Sequence, residues 1–420
     1  MKRLAQKSVL LAALAVFGLL STAVHAAELH WARSWGASPQ APNAALGAAF
    51  AYPTFHDQTL RQVVRISGGG KQVRIRFTNE FGTAPLAIGA AHVAIAAPGG
   101  AIQLGSDHVL TFAGKPSAVV PPGAPLVSDP IDLPVAPLSK LTISLYLPGD
   151  VAVCTCHGTA VEPGWIMAGD ATAAPAPPAA AAPLQVRALI SAVEVGSDAP
   201  ATTIVMFGDS ITDGVGSTPG ADKRWPDQLA ERLIKRGGPA VYVSNQGISG
   251  NRVLNDGFGV SALARFDRDV LATPGLGYVV VFEGINDIGI SFAPRGDTGP
   301  LAAFMKAFAG APVSAEDIIA GYRQLIARAH ARGVKIYAAT ITPYGGAATA
   351  AEDGEKARQA VNAWIRTSHA FDGVIDFDAV WRDPAKPSQI REGLHAGDHL
   401  HGSDAGYSAL AESIDLGLFR

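Results

Sequence analysis

Charge is scarce in this 420-residue chain: Asp, Glu, Lys and Arg together make up 16% of it, and the formal net charge is −3. No tract of basic residues interrupts that pattern. Binding to nucleic acid rests on clustered cations that neutralise phosphates, so no nucleic-acid partner is expected. The slight acidic excess also argues against an anionic polymer as the main substrate. Cysteine is rarer still, with Cys154 and Cys156 alone, in the run Cys-Thr-Cys-His. That spacing matches no structural zinc pattern, and His157 is the only further ligand nearby, so no metal is expected there. The pair reads as two semi-buried thiols or a bridge across one residue. Two catalytic signatures are also missing. There is no His-Glu-x-x-His helix and no Gly-x-Ser-x-Gly elbow, which removes the zinc proteases and the α/β-hydrolases that carry those motifs.

What is present is apolar and rich in turns. Hydrophobic residues reach 48%, enough for large cores, and 46 Gly and 29 Pro imply frequent chain reversals. A chain of this length is expected to divide into more than one domain. Lys2, Arg3 and Lys7 precede an apolar stretch over about residues 9–20, and Val24-His25-Ala26 supplies small residues for cleavage. The stretch is too short to span a bilayer comfortably, so residues 1–26 read as a signal peptide, with export to a periplasm or beyond the cell. Its removal would take away three basic residues and no acidic one. No later stretch reads as transmembrane.

Residues 27–196 alternate with period two, as in Gln72-Val73-Arg74-Ile75-Arg76-Phe77 and Leu141-Thr142-Ile143-Ser144-Leu145-Tyr146. Short runs of this kind between Gly and Pro predict an all-β domain, jelly-roll or sandwich-like. The Ala/Pro stretch 171–183 reads as a surface loop within it. The rhythm changes near 197. Ile204-Val205-Met206-Phe207 is apolar without alternation, as in a strand buried on both faces. Strands at 241–244, 278–282, 335–340 and 374–377 then alternate with helices at 226–235, 261–271, 314–331, 355–368 and 405–416. Residues 197–420 are therefore expected to form a three-layer α/β/α domain with a parallel sheet, its function at the carboxyl ends of the strands.

Four segments at such positions carry candidate chemistry. Gly208-Asp209-Ser210-Ile211-Thr212-Asp213-Gly214 follows the first strand, and Ser210 there could be a nucleophile. Taken alone, the run is equally a turn. Asn245-Gln246-Gly247-Ile248-Ser249-Gly250-Asn251 offers backbone N–H groups, and Glu283-Gly284-Ile285-Asn286-Asp287 offers the Asn286 amide. Asp398-His399-Leu400-His401 supplies a base and a carboxylate to orient it. The crowding of His395, Asp398, His399 and His401 also raises a zinc site, which has no partner cluster elsewhere.

In this order the four segments resemble the SGNH, or GDSL-like, hydrolase family, over about residues 202–418. The resemblance implies Ser210 as nucleophile, His401 as base and Asp398 as its orienting acid. It implies an oxyanion hole from the Ser210 and Gly250 N–H groups and the Asn286 side chain, with Gly247 as the alternative glycine. Asp209 and Asp287 match flanking acids that hold loops, and no cofactor is implied. The stretches 247–257, 264–271 and 283–288 further resemble the secreted arylesterase and acetylxylan-esterase-like branch, whose members carry an N-terminal β-domain. The implied activity is therefore a serine esterase, acting on a small ester or an acetylated polysaccharide. The alternatives are a lysophospholipase or broad arylesterase, a thioester or peptide hydrolase, and a polysaccharide-binding protein with an inactive hydrolase half. The β-domain is expected to cover the hydrolase rather than bind sugar.

Overall fold

The computed structural model describes residues 28–42, 51–293 and 312–420. The expected signal peptide and most of the long connection at 290–312 lie outside them.

The alternating strands behave as their pattern requires. In Gly70–Thr78, Val73, Ile75 and Phe77 are fully buried. Arg74 and Arg76 emerge on the opposite face, where they pair with Glu194 at 2.7 Å and Glu80 at 2.9 Å. Lys140–Leu147 sends Leu141, Ile143 and Leu145 into the same core. Two antiparallel sheets result. In one, Ile190–Ser197 lies between His30–Gly36 and Gly70–Thr78, and the latter also pairs with Pro125–Val127 and Ile131–Val135. The other runs Ala182–Pro183, Gly164–Ala168, Gln58–Arg65, Lys140–Leu147, Ala90–Ile95, His108–Val109. The Ala/Pro stretch is a loop except at Ala182–Pro183, which adds a two-residue strand. The buried Arg61 guanidinium fastens it to the outer face of the second sheet by donating to the Thr172 and Ala174 carbonyls, at 3.2 and 2.6 Å.

From Ala201 the pairing is parallel. The five-stranded sheet has the order Ala240–Gly247, Ala201–Gly208, Leu276–Phe282, Lys335–Ala339, Gly373–Ile375. The chain winds one way from the second strand in this row and the other way from its neighbour. That reversal opens a crevice at the carboxyl ends, where Ser210 follows. Helices include Trp225–Arg236, Ala315–His330, Glu352–Thr367 and Asp404–Ser413. The expected capping box forms: Ser314 Oγ accepts from Asp317 N while the Asp317 carboxylate accepts from Ser314 N. Two expectations are corrected. The 374–377 segment leaves the sheet after Ile375, because the Asp376 side chain caps a new helix, Phe377–Trp381. The 261–271 helix is α-helical only over Ala262–Phe266 and widens into a π-turn at Asp267–Leu271.

The antiparallel half closes off the edge strand Ala240–Gly247, whose open side would otherwise offer unpaired backbone groups. Ser67 Oγ accepts from Val243 N at 2.8 Å and donates to Val243 O at 2.9 Å. Tyr242 is buried in the sandwich core, and its hydroxyl donates to Gly69 O. Gly68 has to be glycine here, since a Cβ would come within 1.9 Å of the Tyr242 ring. Arg33 N donates to Thr203 Oγ1 at 3.0 Å, tying His30–Gly36 to the strand that leads into Ser210.

Candidate active site

Asp209 ends the buried strand Ala201–Gly208, and its carboxylate accepts from Ile211 N at 2.9 Å, starting the short helix Ser210–Asp213. Gly214, at φ 103°, closes that turn. Ser210 is thereby presented at the sheet edge, with its Oγ 2.8 Å from His401 Nε2. His401 Nδ1 lies 2.5 Å from Asp398 Oδ2. The other Asp398 oxygen accepts from Leu400 N at 3.0 Å and His401 N at 2.9 Å. Partial burial raises the Asp398 pKa, but the His401 ring, the two backbone N–H groups and the imidazole charge together hold it well below the ordinary carboxylate range. This carboxylate stays ionised and fixes the ring so that Nε2 faces the serine hydroxyl. The neighbouring His395 and His399 rings lie 4.2 Å apart at 36°. Among the described residues, no three potential metal ligands gather.

Across the crevice, Gly250 has φ 77°, and a Cβ there would come within 2.1 Å of the Phe258 ring. Only glycine fits this turn. The other candidate glycine is already engaged, since Gly247 N donates to Asn245 Oδ1 at 2.9 Å. Asn286 Nδ2 donates to Asn251 O at 2.9 Å. An amide carries two hydrogens on that nitrogen, so this bond orients the group. Ser210, Gly250, Asn286 and His401 all line one cavity of about 760 Å³.

The two flanking acids lie beneath. Asp287 is buried and accepts from Val253 N at 2.7 Å and Leu254 N at 3.3 Å, pinning the chain just after Gly250. Burial raises its pKa to about 6 against these donors. Burial likewise pushes Asp209 up to about 7, with the Asp287 charge adding to it and Ile211 N–H, His401 and Arg265 opposing it.

Sequence reasoning passed over Arg265. Its side chain is buried, donates to Gly208 O at 2.9 Å, Gln246 O at 2.7 Å and Asn251 Oδ1 at 2.9 Å, and sits 4.0 Å from the Phe207 ring centroid. It joins the ends of two adjacent strands to the turn after Gly250. The available signal was the i,i+4 spacing of Arg265 and Asp269 inside an otherwise apolar helix face. Also unforeseen was the share of the cavity built by the antiparallel half, where Tyr52, Thr159, Ile166, Leu184 and Val186 form one wall. Trp225 and Tyr344 are buried packing residues.

Residues 206–409 match the model of the GDSL-like Lipase/Acylhydrolase family. This part of the chain is a GDSL-like hydrolase domain, and the protein is an ester hydrolase. Similar solved structures include a member of the lipolytic protein G-D-S-L family from Veillonella parvula (19% identity over 52% of this chain and 98% of that one, TM-score 0.38). They include the lipase/acylhydrolase from Enterococcus faecalis (20%, 50% and 92%, TM-score 0.35) and an acetyl xylan esterase from Geobacillus stearothermophilus (22%, 50% and 92%, TM-score 0.37). No curated protein matches the chain. The GDSL-like domain holds the seven site residues implied by the resemblance: Ser210, Gly250, Asn286 and His401 around the cavity, Asp398 behind His401, and Asp209 and Asp287 beneath.

Proposed function

We propose that this protein is an exported serine esterase that hydrolyses carboxylic esters through Ser210, His401 and Asp398, with O-acetyl esters of carbohydrate hydroxyls as its substrate class. The observation that carries the reaction type is the hydrogen-bonded row from Asp398 through His401 to Ser210 Oγ, opening on the cavity. His401 Nε2 takes the serine proton as Oγ attacks the ester carbonyl. Ser210 N–H, Gly250 N–H and the second hydrogen of the Asn286 amide receive the oxyanion. Collapse expels the alcohol with the proton returned from His401, and water then cleaves the acyl-enzyme by the same steps in reverse. The sequence resemblance of residues 247–288 to acetylxylan-esterase-like enzymes supports the acetyl reading, and the basic, then apolar, first 26 residues support export.

A second reading, a broad arylesterase or lysophospholipase, is favoured by the cavity walls. Ile166, Leu184, Val186, Val215, Ile290 and Leu400 are apolar and suit an aryl or acyl chain. Hydrolysis of p-nitrophenyl acetate, butyrate and octanoate by the protein separates the two. Rates that fall with chain length support the acetylesterase, and a preference for octanoate replaces it with the second reading.

A further inference from the structure

The antiparallel half reaches the oxyanion side of the site through the segment Cys154–Thr159 and through Gln40. A disulfide joins Cys154 to Cys156, and Cys156–His157 forms a short strand against Arg187–Ala188. Cys156 also exchanges backbone hydrogen bonds with Gln40. The segment is thus pinned on both sides, and it delivers two side chains towards the hydrolase half.

His157 is buried, and both of its ring nitrogens face acceptors. Nδ1 lies 3.0 Å from Ser38 O and Nε2 lies 2.9 Å from Asp213 Oδ1. Asp213 sits three residues beyond the nucleophile on the same short helix. Its other oxygen accepts both Ser249 N at 3.1 Å and Ser249 Oγ at 2.7 Å. Thr159 Oγ1 meets the same Ser249 hydroxyl at 2.9 Å. Ser249 immediately precedes Gly250. Burial pushes Asp213 up, but His157 and the surrounding hydrogen bonds outweigh it and hold the group below its ordinary range. A buried carboxylate in that state needs its donors, so the His157 contact is costly to lose. A third thread approaches Gly250 from the opposite side. Gln40 Nε2 donates to Phe258 O at 2.8 Å while its Oε1 accepts from Gly158 N at 2.8 Å, and the Phe258 ring closes over Gly250.

We infer that His157 and Thr159 are positioning residues for ester hydrolysis: through Asp213 and Ser249 they set the direction of the Gly250 N–H that receives the oxyanion. The catalytic half therefore does not hold its own oxyanion loop alone. The antiparallel half supplies the clamp, and the relay joins that loop to the helix carrying Ser210. This inference rests on the assignment of Ser210 and Gly250 given above.

The two ring nitrogens of His157 allow a test that packing alone would not answer. A glutamine amide nitrogen reaches the place of Nε2 and can still donate to Asp213, whereas an asparagine amide nitrogen falls near Nδ1 and serves only Ser38. Full-length His157→Gln, His157→Asn, His157→Ala and Thr159→Val are assayed on p-nitrophenyl acetate beside Ser210→Ala, with thermal melting of each. The expected result for His157→Ala and His157→Asn is a kcat reduced about tenfold to a hundredfold with KM within about twofold, the pattern of a misdirected oxyanion donor. His157→Gln should recover kcat to within about threefold of the parent, and Thr159→Val should lose a few-fold. Parental kcat in folded His157→Ala, or equal losses in the Gln and Asn variants that follow melting temperature alone, would overturn the relay. Activity that survives in Ser210→Ala would overturn the underlying site assignment instead, so the two failures read differently.

Discussion

The two walls of the cavity are built on different plans. The wall that carries His401 is a short loop in which the Asp398 carboxylate, three residues away, meets the His401 ring and accepts from Leu400 N and His401 N. The Asp398 side chain is about half exposed, at 49%. The wall that carries Gly250 and Asn286 is backed by buried side chains and wired to Asp287, to Arg265 and to His157 of the antiparallel half. On the proposed assignment, the base and its carboxylate are paired locally, while the oxyanion donors depend on contacts from both halves of the chain. Substitutions on the first wall should therefore change rate with little change in stability, and those on the second should change both.

The largest expected effect tests the first wall. His401→Ala should lower kcat by about 10⁴-fold or more, equivalent to about 5.5 kcal/mol, with melting temperature nearly unchanged. Steady-state kinetics and a melting curve on the same sample check both parts. On the second wall, Arg265→Met should cost about 3–5 kcal/mol of stability, because Glu283 and Asp269 would lose their buried cation and two strand-end carbonyls their donor. Urea unfolding measures it, and a cost under about 1 kcal/mol would show that the two walls are less different than drawn. Asn286→Ala should cost about 3 kcal/mol of transition-state stabilisation, read as kcat. Asn286→Asp should be slower still, since a carboxylate repels the oxyanion; an Asp variant equal to or faster than Ala contradicts that.

The smallest effect concerns pH. Buried Asp209 keeps its proton up to about pH 7, whereas its unfolded counterpart loses it near the ordinary 3.8. Between those values the folded state binds more protons, so this group's contribution to stability falls as pH rises. Asp209→Asn has no such penalty. Its melting temperature relative to the parent should therefore improve by a few degrees from about pH 5 to about pH 8. A difference that stays flat across that range removes Asp209 as a buried titrating group.

The contrast between the walls also explains what the sequence made legible. Ser210 and the Asp398–His401 pair lie in short motifs whose partners are neighbours in the chain or stand at a strand's end. The strands of both halves announce themselves by period two or by unbroken apolar runs, as Val73, Ile75 and Phe77 or Ile204 to Phe207 do. Phe377 misled because an apolar alternation through Ile375 looks the same whether it continues or stops. The stop is decided by Asp376, held by Thr340 Oγ1 at 2.8 Å and Arg366 Nη2 at 2.6 Å, contacts no local pattern contains. Arg265 and His157 were illegible for the same reason. Each earns its role from groups more than fifty residues away, Gly208 and Asp213 respectively. Reading a wall of the cavity from sequence works when the wall is made of one segment.

The most direct test of the central claim is covalent labelling of the protein with a fluorophosphonate, followed by peptide mapping of the adduct. A single adduct on Ser210 is expected, formed slowly or not at all in His401→Ala. No adduct, or an adduct on another serine with Ser210 unmodified, would contradict the assignment of Ser210 as the nucleophile.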